Sequence, residues 1–241
     1  MNTRKNILIL GANSDVAKQC ILQYVQNGFA VTAASRDLLS LSNFVAEHQL
    51  ENRVKVIYFD AVEFSSHQNF YDTLPTKPNI VLYAAGFLIQ NDEATNNFGD
   101  AFQMMKVNYS GAVSILNIIA SDQSNKNLER IIGLSSLSGV RGRKSNYIYG
   151  STKAAFTTYL AGLRQELASR KIVVNVVVSG YIRTKINEGL KLNESLMMEP
   201  AYVAKHIVDA GNSFTIVPNW KWRIIYWILK FLPESLVSKL P

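Results

Sequence analysis

The 241-residue sequence is poor in cysteine and histidine, with Cys20 alone and three histidines. A single cysteine cannot form an internal disulfide, which excludes a small secreted protein held together by disulfide bonds. Because no cluster of cysteine and histidine has the spacing of metal ligands, we expect no metal site. The sequence also lacks a secretory signal pattern and any apolar run near the ~20 residues of a membrane span, so we expect a cytoplasmic protein.

Acidic residues are fewer than basic ones, 18 against 25, which gives a net charge of +7. A basic chain suits nucleic acid, a membrane surface or a phosphorylated substrate. No nucleic-acid-binding motif accompanies this charge, and we expect no nucleic acid partner. The length suits one α/β domain with a substantial core, and no linker, repeat or low-complexity tract interrupts the chain.

Seven short apolar runs have the composition of buried parallel strands. They are residues 7–10, 30–35, 54–59, 80–86, 131–135, 172–178 and 214–217. Helical stretches separate most of them. This alternation predicts an α/β, doubly wound Rossmann fold, with a mostly parallel seven-stranded sheet and helices on both faces. We expect this domain to span residues 1–217 and to bind ligands beyond the carboxyl ends of its strands.

A glycine turn follows the first run. Gly11 precedes a helical pattern, and strand, turn and helix together make a phosphate-binding site at a helix N-terminus. A dinucleotide fingerprint has three glycines, whereas Asp15 and Ala17 stand at the second and third positions. The Asp15 carboxylate should repel a pyrophosphate unless it turns back to cap the helix. Taken alone, this turn fits a plain strand-helix junction equally well.

Tyr149 and Lys153 lie four residues apart, shortly after the pair Ser135-Ser136. On a helix, residues at this spacing share one face. An ammonium stabilises a neighbouring phenolate, so we expect the pKa of Tyr149 to fall from about 10 towards neutrality. A tyrosine tuned in this way exchanges a proton with a carbonyl or alcohol oxygen. The spacing alone also fits a chance pair on a helix surface.

Several short motifs occur together in one order along the chain. They are Gly11 with the following helix, Asp60, Ala84-Ala85-Gly86, Asn108, Ser136, Tyr149 and Lys153. In order and spacing they resemble the short-chain dehydrogenase/reductase superfamily, from about residue 5 to residue 217. Apart from Asp15 and Ala17, the chain departs from the family pattern at Tyr83-Ala84, where the family has Asn-Asn, and at Ser179, where it has Pro.

The resemblance implies a carbonyl reductase that uses a nicotinamide cofactor. It assigns proton donation to Tyr149, and to Lys153 the tuning of that tyrosine and a bond to the nicotinamide ribose. Ser136 would bind the substrate oxygen, and Asn108 would hold a water that links Lys153 to solvent. It also implies a set of cofactor-binding residues. These are Gly11, Asn13, Ser14, Asp15, Val16, Arg36, Asp60, Ala61, Ala85, Gly86, Tyr149, Lys153, Gly180, Ile182 and Thr184.

The choice of cofactor depends on the residues at the end of the second strand. There a carboxylate binds the ribose 2′-hydroxyl of NAD, whereas an arginine accommodates the 2′-phosphate of NADP. Arg36, after Ser35, therefore favours NADP(H) over NAD(H). The adjacent Asp37 could take the NAD role, so the alternative stays open.

The C-terminal segment 218–241 holds all three tryptophans of the chain, interleaved with lysine and arginine. This pattern predicts an amphipathic helix of the kind that lies at a membrane interface. Contact of this kind would place the protein at the inner face of the membrane. A helix packed on the core or on a partner subunit explains the pattern equally well.

The tail and the segment 141–153 narrow the resemblance to the reductase half of the decaprenylphosphoryl-ribose 2-epimerase system. In that system a flavin partner oxidises the sugar C2 hydroxyl, and the short-chain reductase reduces the resulting ketone. The resemblance implies a pentose linked to a polyprenyl phosphate as substrate, a flavin oxidase as partner, and a role in cell-envelope polysaccharide biosynthesis. We expect Arg141, Arg143 and Lys144 to contact the substrate phosphate.

Two other interpretations stay open. The first is a reductase of another ketone, such as a 3-oxoacyl thioester, a small ketose or a lipid ketone. The second is a non-enzymatic nucleotide-sensing protein on the same fold. The intact proton relay argues against a sensor, which has no need of one. The resemblance also implies a homo-oligomer, since dimers and tetramers are common in the family.

Overall fold

The computed structural model describes residues 4–185 and 192–238. Within these residues seven strands form one sheet. They are β1 (Asn6–Leu10), β2 (Ala30–Ser35), β3 (Val54–Tyr58), β4 (Ile80–Tyr83), β5 (Arg130–Ser136), β6 (Val173–Ser179) and β7 (Thr215–Ile216). Their order is β3-β2-β1-β4-β5-β6-β7, and every neighbouring pair is parallel.

Helices cover the two faces of this sheet. Over the described ranges they are α1 (Asp15–Gln26), α2 (Leu38–Glu47), α3 (His67–Asp72), α4 (Asn91–Asn96), α5 (Phe98–Met105), α6 (Gly111–Ser121), α7 (Tyr147–Glu166), α8 (Pro200–Val208), α9 (Trp220–Phe231) and α10 (Glu234–Val237). α1 packs on α8, while α6 packs on α3 and α7. None of the helices in these ranges is long and apolar enough to cross a membrane.

The predicted fold is confirmed, including the amphipathic C-terminal helix. Every residue of β1 is buried, as expected for a central parallel strand covered on both faces, and this explains why the predicted strands read as continuous apolar runs. Six of the seven strands differ from prediction at one or both ends, mostly by one residue, and the largest difference is in β4. β4 stops at Tyr83 rather than at residue 86, because Tyr83 pairs with Leu10, the last residue of the neighbouring strand β1. The chain beyond it is held by the Phe87 N–H bond to the Asn108 side chain. β7 is shortened to Thr215–Ile216.

The first βα turn brings the ends of β1 and β4 together. Gly11 has φ of +83°, a region that favours glycine, and an added Cβ would collide with the backbone of Ala85. Ser14 then caps α1, since its Oγ accepts the Ala17 N–H at 3.2 Å. The turn therefore places the N-terminus of α1 beside the end of β4.

A wide helical turn of π type, Lys106–Ser110, joins α5 to α6 and carries the fully buried Asn108. Such turns interrupt regular helices most often at functional sites. The hydroxyl of Tyr83 donates to the Val107 carbonyl at 2.6 Å, which anchors the turn to the end of β4. Directly after it, Gly111 packs so closely on Ala61 that an added Cβ would collide with the Ala61 carbonyl oxygen.

We expect Gly111→Ala to destabilise the protein by about 1–3 kcal/mol, because the new methyl group must displace the backbone of Ala61. The matched control is Gly162→Ala in α7, where an added Cβ meets nothing within 4 Å. There alanine should stabilise the helix by about 1 kcal/mol. Thermal unfolding followed by circular dichroism should show a lower Tm for the first variant and a higher Tm for the second. Shifts of the same sign would contradict the close contact of α6 with Ala61.

Candidate active site

A cavity of about 780 Å³ lies at the carboxyl ends of the strands, where ligands of this fold bind. Its volume is that of a site for a cofactor or a large small-molecule ligand. The structure places every residue predicted to bind the cofactor in its lining. These are Gly11, Asn13, Ser14, Asp15, Val16, Arg36, Asp60, Ala61, Ala85, Gly86, Tyr149, Lys153, Gly180, Ile182 and Thr184. Ser136 and Arg143 also line the cavity.

The Asp15 carboxylate does not cap α1, so the cap that would have turned it away from a phosphate is not formed. Ser14 holds the cap position, and Asp15 Oδ2 instead accepts the backbone N–H of Lys185 at 2.9 Å. This bond ties the start of α1 to the segment that follows β6. It also gives the carboxylate a hydrogen-bond donor, which weakens its repulsion of a phosphate at the same helix end.

Asn13 joins the glycine turn to the end of β2. Its Nδ2 donates to Ser35 Oγ at 2.8 Å and to the Asp37 carbonyl at 2.7 Å, while its buried Oδ1 has no hydrogen-bond partner among the described residues. Asp37 Oδ1 accepts the Ser40 N–H at 2.9 Å and caps α2. Arg36, at the end of β2, therefore lines the cavity, while the Asp37 carboxylate is engaged as the cap of α2.

His67, which the sequence analysis did not identify, holds the cavity wall at Asp60. The side chain is fully buried, and its Nε2 donates to the Asp60 carbonyl at 2.9 Å. Its Nδ1 lies 2.8 Å from Ser114 Oγ, and burial lowers the pKa of His67. The Asp60 carboxylate accepts the Val62 N–H at 3.0 Å. The loop after β3 is thus fixed from two sides.

Tyr149 and Lys153 lie in the first half of α7, beside Ser136 at the end of β5. Lys153 is 4% exposed, and its Nζ lies 5.8 Å from the centroid of the Tyr149 ring. The ammonium donates to the Leu134 carbonyl at 3.1 Å. Ser136 Oγ accepts the Ser138 N–H at 3.1 Å, which orients the hydroxyl at the strand end. Three of the four predicted catalytic groups therefore line the cavity together, while Asn108 lies behind its lining.

The expected fall in the pKa of Tyr149 is wrong for this structure. Burial raises the pKa of Tyr149 to about 12, and a hydrogen bond with Ser136 opposes this rise. Burial also lowers the pKa of Lys153 to about 8. The free-energy cost of burying a phenolate exceeds the stabilisation that the Lys153 ammonium gives it, since Nζ donates its hydrogen bond to a backbone carbonyl and not to Tyr149. Near pH 7 the pair is a neutral phenol beside an ammonium.

Asn108 uses its amide to join two elements of the site. Oδ1 accepts the Phe87 N–H at 2.8 Å, and Nδ2 donates to the Phe87 carbonyl at 2.8 Å and to Thr152 Oγ1 at 3.1 Å. The side chain therefore fixes the chain after β4 against α7, next to Lys153. Its role in holding a water stays a prediction.

The three predicted phosphate contacts occupy three different places. Arg143 lines the cavity, and its Nη2 donates to Ser138 Oγ at 3.2 Å, as does Asn146 Nδ2 at 2.8 Å. Arg141 instead donates to the Lys230 carbonyl at 2.9 Å, where it satisfies the end of α9. Lys144 is exposed and lies outside the cavity lining. Of the three, only Arg143 is placed to meet a ligand near Ser136.

Helix α9 forms an apolar wall that the sequence analysis did not assign to the site. Trp222, Ile225 and Leu229 line the cavity, and their spacing of three and four residues marks one helix face. The Trp222 ring lies directly on Gly180, where an added Cβ would collide with it. Trp222 Nε1 donates to the Leu196 carbonyl at 2.8 Å. This packing holds the C-terminal helix on the cavity.

The groups present fit a dinucleotide cofactor. The N-terminus of α1 offers backbone N–H groups to an anion, and the cation of Arg36 lines the same cavity as the unpartnered acceptor Asn13 Oδ1. At the other end Gly86 lies next to the Lys153 ammonium, which an added Cβ would approach to 3.6 Å. Donors for phosphate and ribose therefore follow one side of the cavity.

Comparison with known proteins finds chains of the same fold and related sequences. A short-chain dehydrogenase from Burkholderia cenocepacia, solved in complex with NADP, matches with a TM-score of 0.83 at 18% identity, covering 97% of this chain and 95% of that one. An uncharacterised oxidoreductase from Streptomyces coelicolor is 27% identical over 98% of this chain and 96% of its own length. A 3-oxoacyl-[acyl-carrier-protein] reductase from Aggregatibacter actinomycetemcomitans is 26% identical over 82% of this chain and 84% of its own length.

A sequence profile of the family described as short chain dehydrogenase matches residues 5–195, most of the chain. The match includes the glycine turn, the buried asparagine and the Ser-Tyr-Lys group that meet at the cavity. The chain is therefore an oxidoreductase that belongs to the short-chain dehydrogenase/reductase superfamily.

Proposed function

We propose that the chain is an NADPH-dependent reductase of a ketone on a lipid-linked substrate that carries a phosphate. One observation supports this substrate class above all. The cavity joins the apolar wall of Trp222, Ile225 and Leu229 to the cation of Arg143, and Tyr149 lies in the same lining. An apolar chain and a phosphate on one substrate would each find a matching surface there.

NADPH is favoured over NADH by the residues at the end of β2. Arg36 lines the cavity, where it would pair with a 2′-phosphate, while the Asp37 carboxylate is engaged as the cap of α2. The Burkholderia cenocepacia neighbour was solved with NADP, which supports the same choice. The bound cofactor supplies the hydride.

The residues of the chain supply the proton and stabilise the charge that develops on the substrate oxygen. Tyr149, a neutral phenol because burial raises its pKa to about 12, donates its proton to that oxygen. The Lys153 ammonium stabilises the phenolate that remains. The Ser136 hydroxyl, oriented by Ser138, donates a second hydrogen bond to the same oxygen.

A 2-keto-pentose on a polyprenyl phosphate is the substrate that we favour within this class. Its ketone would face Tyr149, its phosphodiester Arg143 and its first isoprenoid units the α9 wall. A flavin oxidase that forms the ketone from the sugar alcohol would be the partner in this scheme, and the two steps together would invert one carbinol centre.

A 3-oxoacyl thioester is the second candidate substrate. The relative named a 3-oxoacyl-[acyl-carrier-protein] reductase favours it, and the apolar wall of α9 also suits an acyl chain. The two candidates differ in the group that Arg143 would meet, because only the keto-pentose carries a phosphodiester close to the ketone that is reduced.

We expect Tyr149→Phe to lower kcat for ketone reduction by about 10²- to 10⁴-fold, since it removes the proton donor. Binding of NADPH, followed by fluorescence titration, should persist and should stay tighter than binding of NADH. Tyr147→Phe is the matched control, because Tyr147 lies on the same helix but is exposed and outside the cavity lining. Near-normal turnover by Tyr149→Phe would contradict the assignment.

The pH dependence of reduction should follow Lys153. Below about pH 8 the lysine carries the charge that stabilises the Tyr149 phenolate, and above that pH it loses its proton. We therefore expect kcat/KM to be level near pH 7 and to fall by about tenfold per pH unit above the pKa. Circular dichroism at each pH checks that the fold persists. A rate that rises from pH 7 to pH 9.5 would rule out a charged lysine as the active form.

Arg143→Ala should raise KM for a phosphate-bearing ketone by about 10- to 100-fold, the effect of losing a hydrogen bond to a charged group. Lys144→Ala removes the same charge one residue away, outside the cavity, and should leave KM unchanged. With a 3-oxoacyl thioester both variants should match the wild-type protein. Equal KM values for both variants on the phosphorylated ketone would refute Arg143 as its anchor.

A further inference from the structure

Helix α9 has a second apolar face, which points to solvent. It consists of Trp220, Ile224, Trp227, Ile228 and Phe231, all exposed. Their spacing places them along one side of the helix. We call this set the outer face of α9. Trp227 and Phe231 stack on each other, with centroids 5.7 Å apart.

The outer face is not needed to hold α9 on the protein. Trp222, Tyr226 and Leu229 are buried on the opposite side of the helix, and Arg141 binds its last turn through the Lys230 carbonyl. Five large apolar side chains on one exposed helix side form a contiguous patch, a feature that often marks an interaction site. The helix therefore packs on the protein with one face and exposes the other to solvent.

Cations flank the outer face on both sides. At 100° per residue, Arg223 and Lys230 fall on one flank and Lys221 on the other. Lys230 Nζ lies 5.1 Å from the centroid of the Trp227 ring, and Lys221 Nζ donates to the Ser195 carbonyl at 3.1 Å. The twelve residues of α9 include no acidic residue. An apolar stripe with aromatic side chains and flanking cations is the pattern of a helix that lies in an anionic membrane interface.

The same charges disfavour a second copy of the chain as the occupant. A two-fold contact through the outer face would bring Lys221, Arg223 and Lys230 of both copies together with no carboxylate from either α9 to pair them. Like charges brought together in an interface repel each other, and burying them also costs their hydration free energy. Anionic lipid headgroups would neutralise all three, while the stripe between them enters the acyl boundary.

We propose that the outer face of α9 docks on an anionic lipid bilayer. The helix lies in the plane of the interface, its Trp227 and Phe231 rings inserted and its cations at the headgroups. The opposite face of the same helix lines the cavity, so docking brings the α9 wall to the surface where lipid-linked substrates lie. The inference rests on α9 alone, and it holds whichever ketone the protein reduces.

The chain offers a closely matched control on α5. Phe98 and Phe102 are 72% and 48% exposed, as are Phe231 and Trp227, and they also stack, with centroids 6.0 Å apart. Lys106 Nζ lies 5.1 Å from the Phe102 ring, just as Lys230 does from Trp227. The α5 pair differs in its charge surroundings, because α5 carries Asp100 and α4 carries acidic residues in its first turn.

The test is sedimentation of the full chain with vesicles of phosphatidylglycerol and phosphatidylcholine, compared with phosphatidylcholine alone. We expect the wild-type protein and Phe98→Ser/Phe102→Ser to bind the anionic vesicles, and Trp227→Ser/Phe231→Ser to bind at least tenfold more weakly. High salt should weaken wild-type binding, because the cations are at the surface. Reductase activity on a water-soluble ketone should be equal in all three, which separates docking from catalysis.

Two results would overturn the proposal. The first is equal vesicle binding by both double variants, or no binding by the wild-type protein. The second is a change in size: if Trp227→Ser/Phe231→Ser alone forms a smaller oligomer on a sizing column and the wild-type protein ignores vesicles, the outer face joins two copies of the chain. A wild-type protein that binds anionic vesicles but reduces no soluble ketone would instead contradict the proposed reductase while supporting the docking of α9.

Discussion

The buried ammonium of Lys153 is the constraint on which the rest of the site depends. It is 4% exposed, and the ion pairs of the described residues do not include it. Between pH 8 and 10.5 the unfolded chain binds the extra proton, so stability rises with pH there, and a charged Lys153 costs folding about 3 kcal/mol at pH 7. The Leu134 carbonyl accepts a hydrogen bond from this ammonium, and Gly86 lies beside it.

Three of the residues that depart from the family pattern make hydrogen bonds that join two parts of the structure. Asp15, in place of a glycine, holds the Lys185 N–H, so the start of α1 is tied to the segment after β6. Tyr83, in place of an asparagine, anchors the turn that carries Asn108. Ser179, in place of a proline, donates to the Ser135 carbonyl at 3.2 Å on the neighbouring strand. Each of these three departures replaces a family residue with one whose side chain binds a second element.

The sheet and the placement of Tyr149 beside Lys153 could be predicted because their signals are local. Strands buried on both faces are continuous apolar runs, and Tyr149 and Lys153 are brought together by one helix. The partners of Asp15 and Arg141 could not be predicted, since they lie 170 and 89 residues away and are set by tertiary packing. The pKa of Tyr149 was misjudged for the same reason: the effect of the ammonium is local, whereas the cost of burial depends on the whole cavity.

The cations of the segment before α7 show why composition alone does not locate a binding site. Arg141 supports the end of α9, Arg143 stays in the cavity and Lys144 faces solvent. Yet the first two both contribute to one cavity, because Arg141 binds the end of the helix whose inner face is the apolar wall and Arg143 adds a charge to the lining. This one segment therefore supports both an apolar and a charged part of the cavity wall.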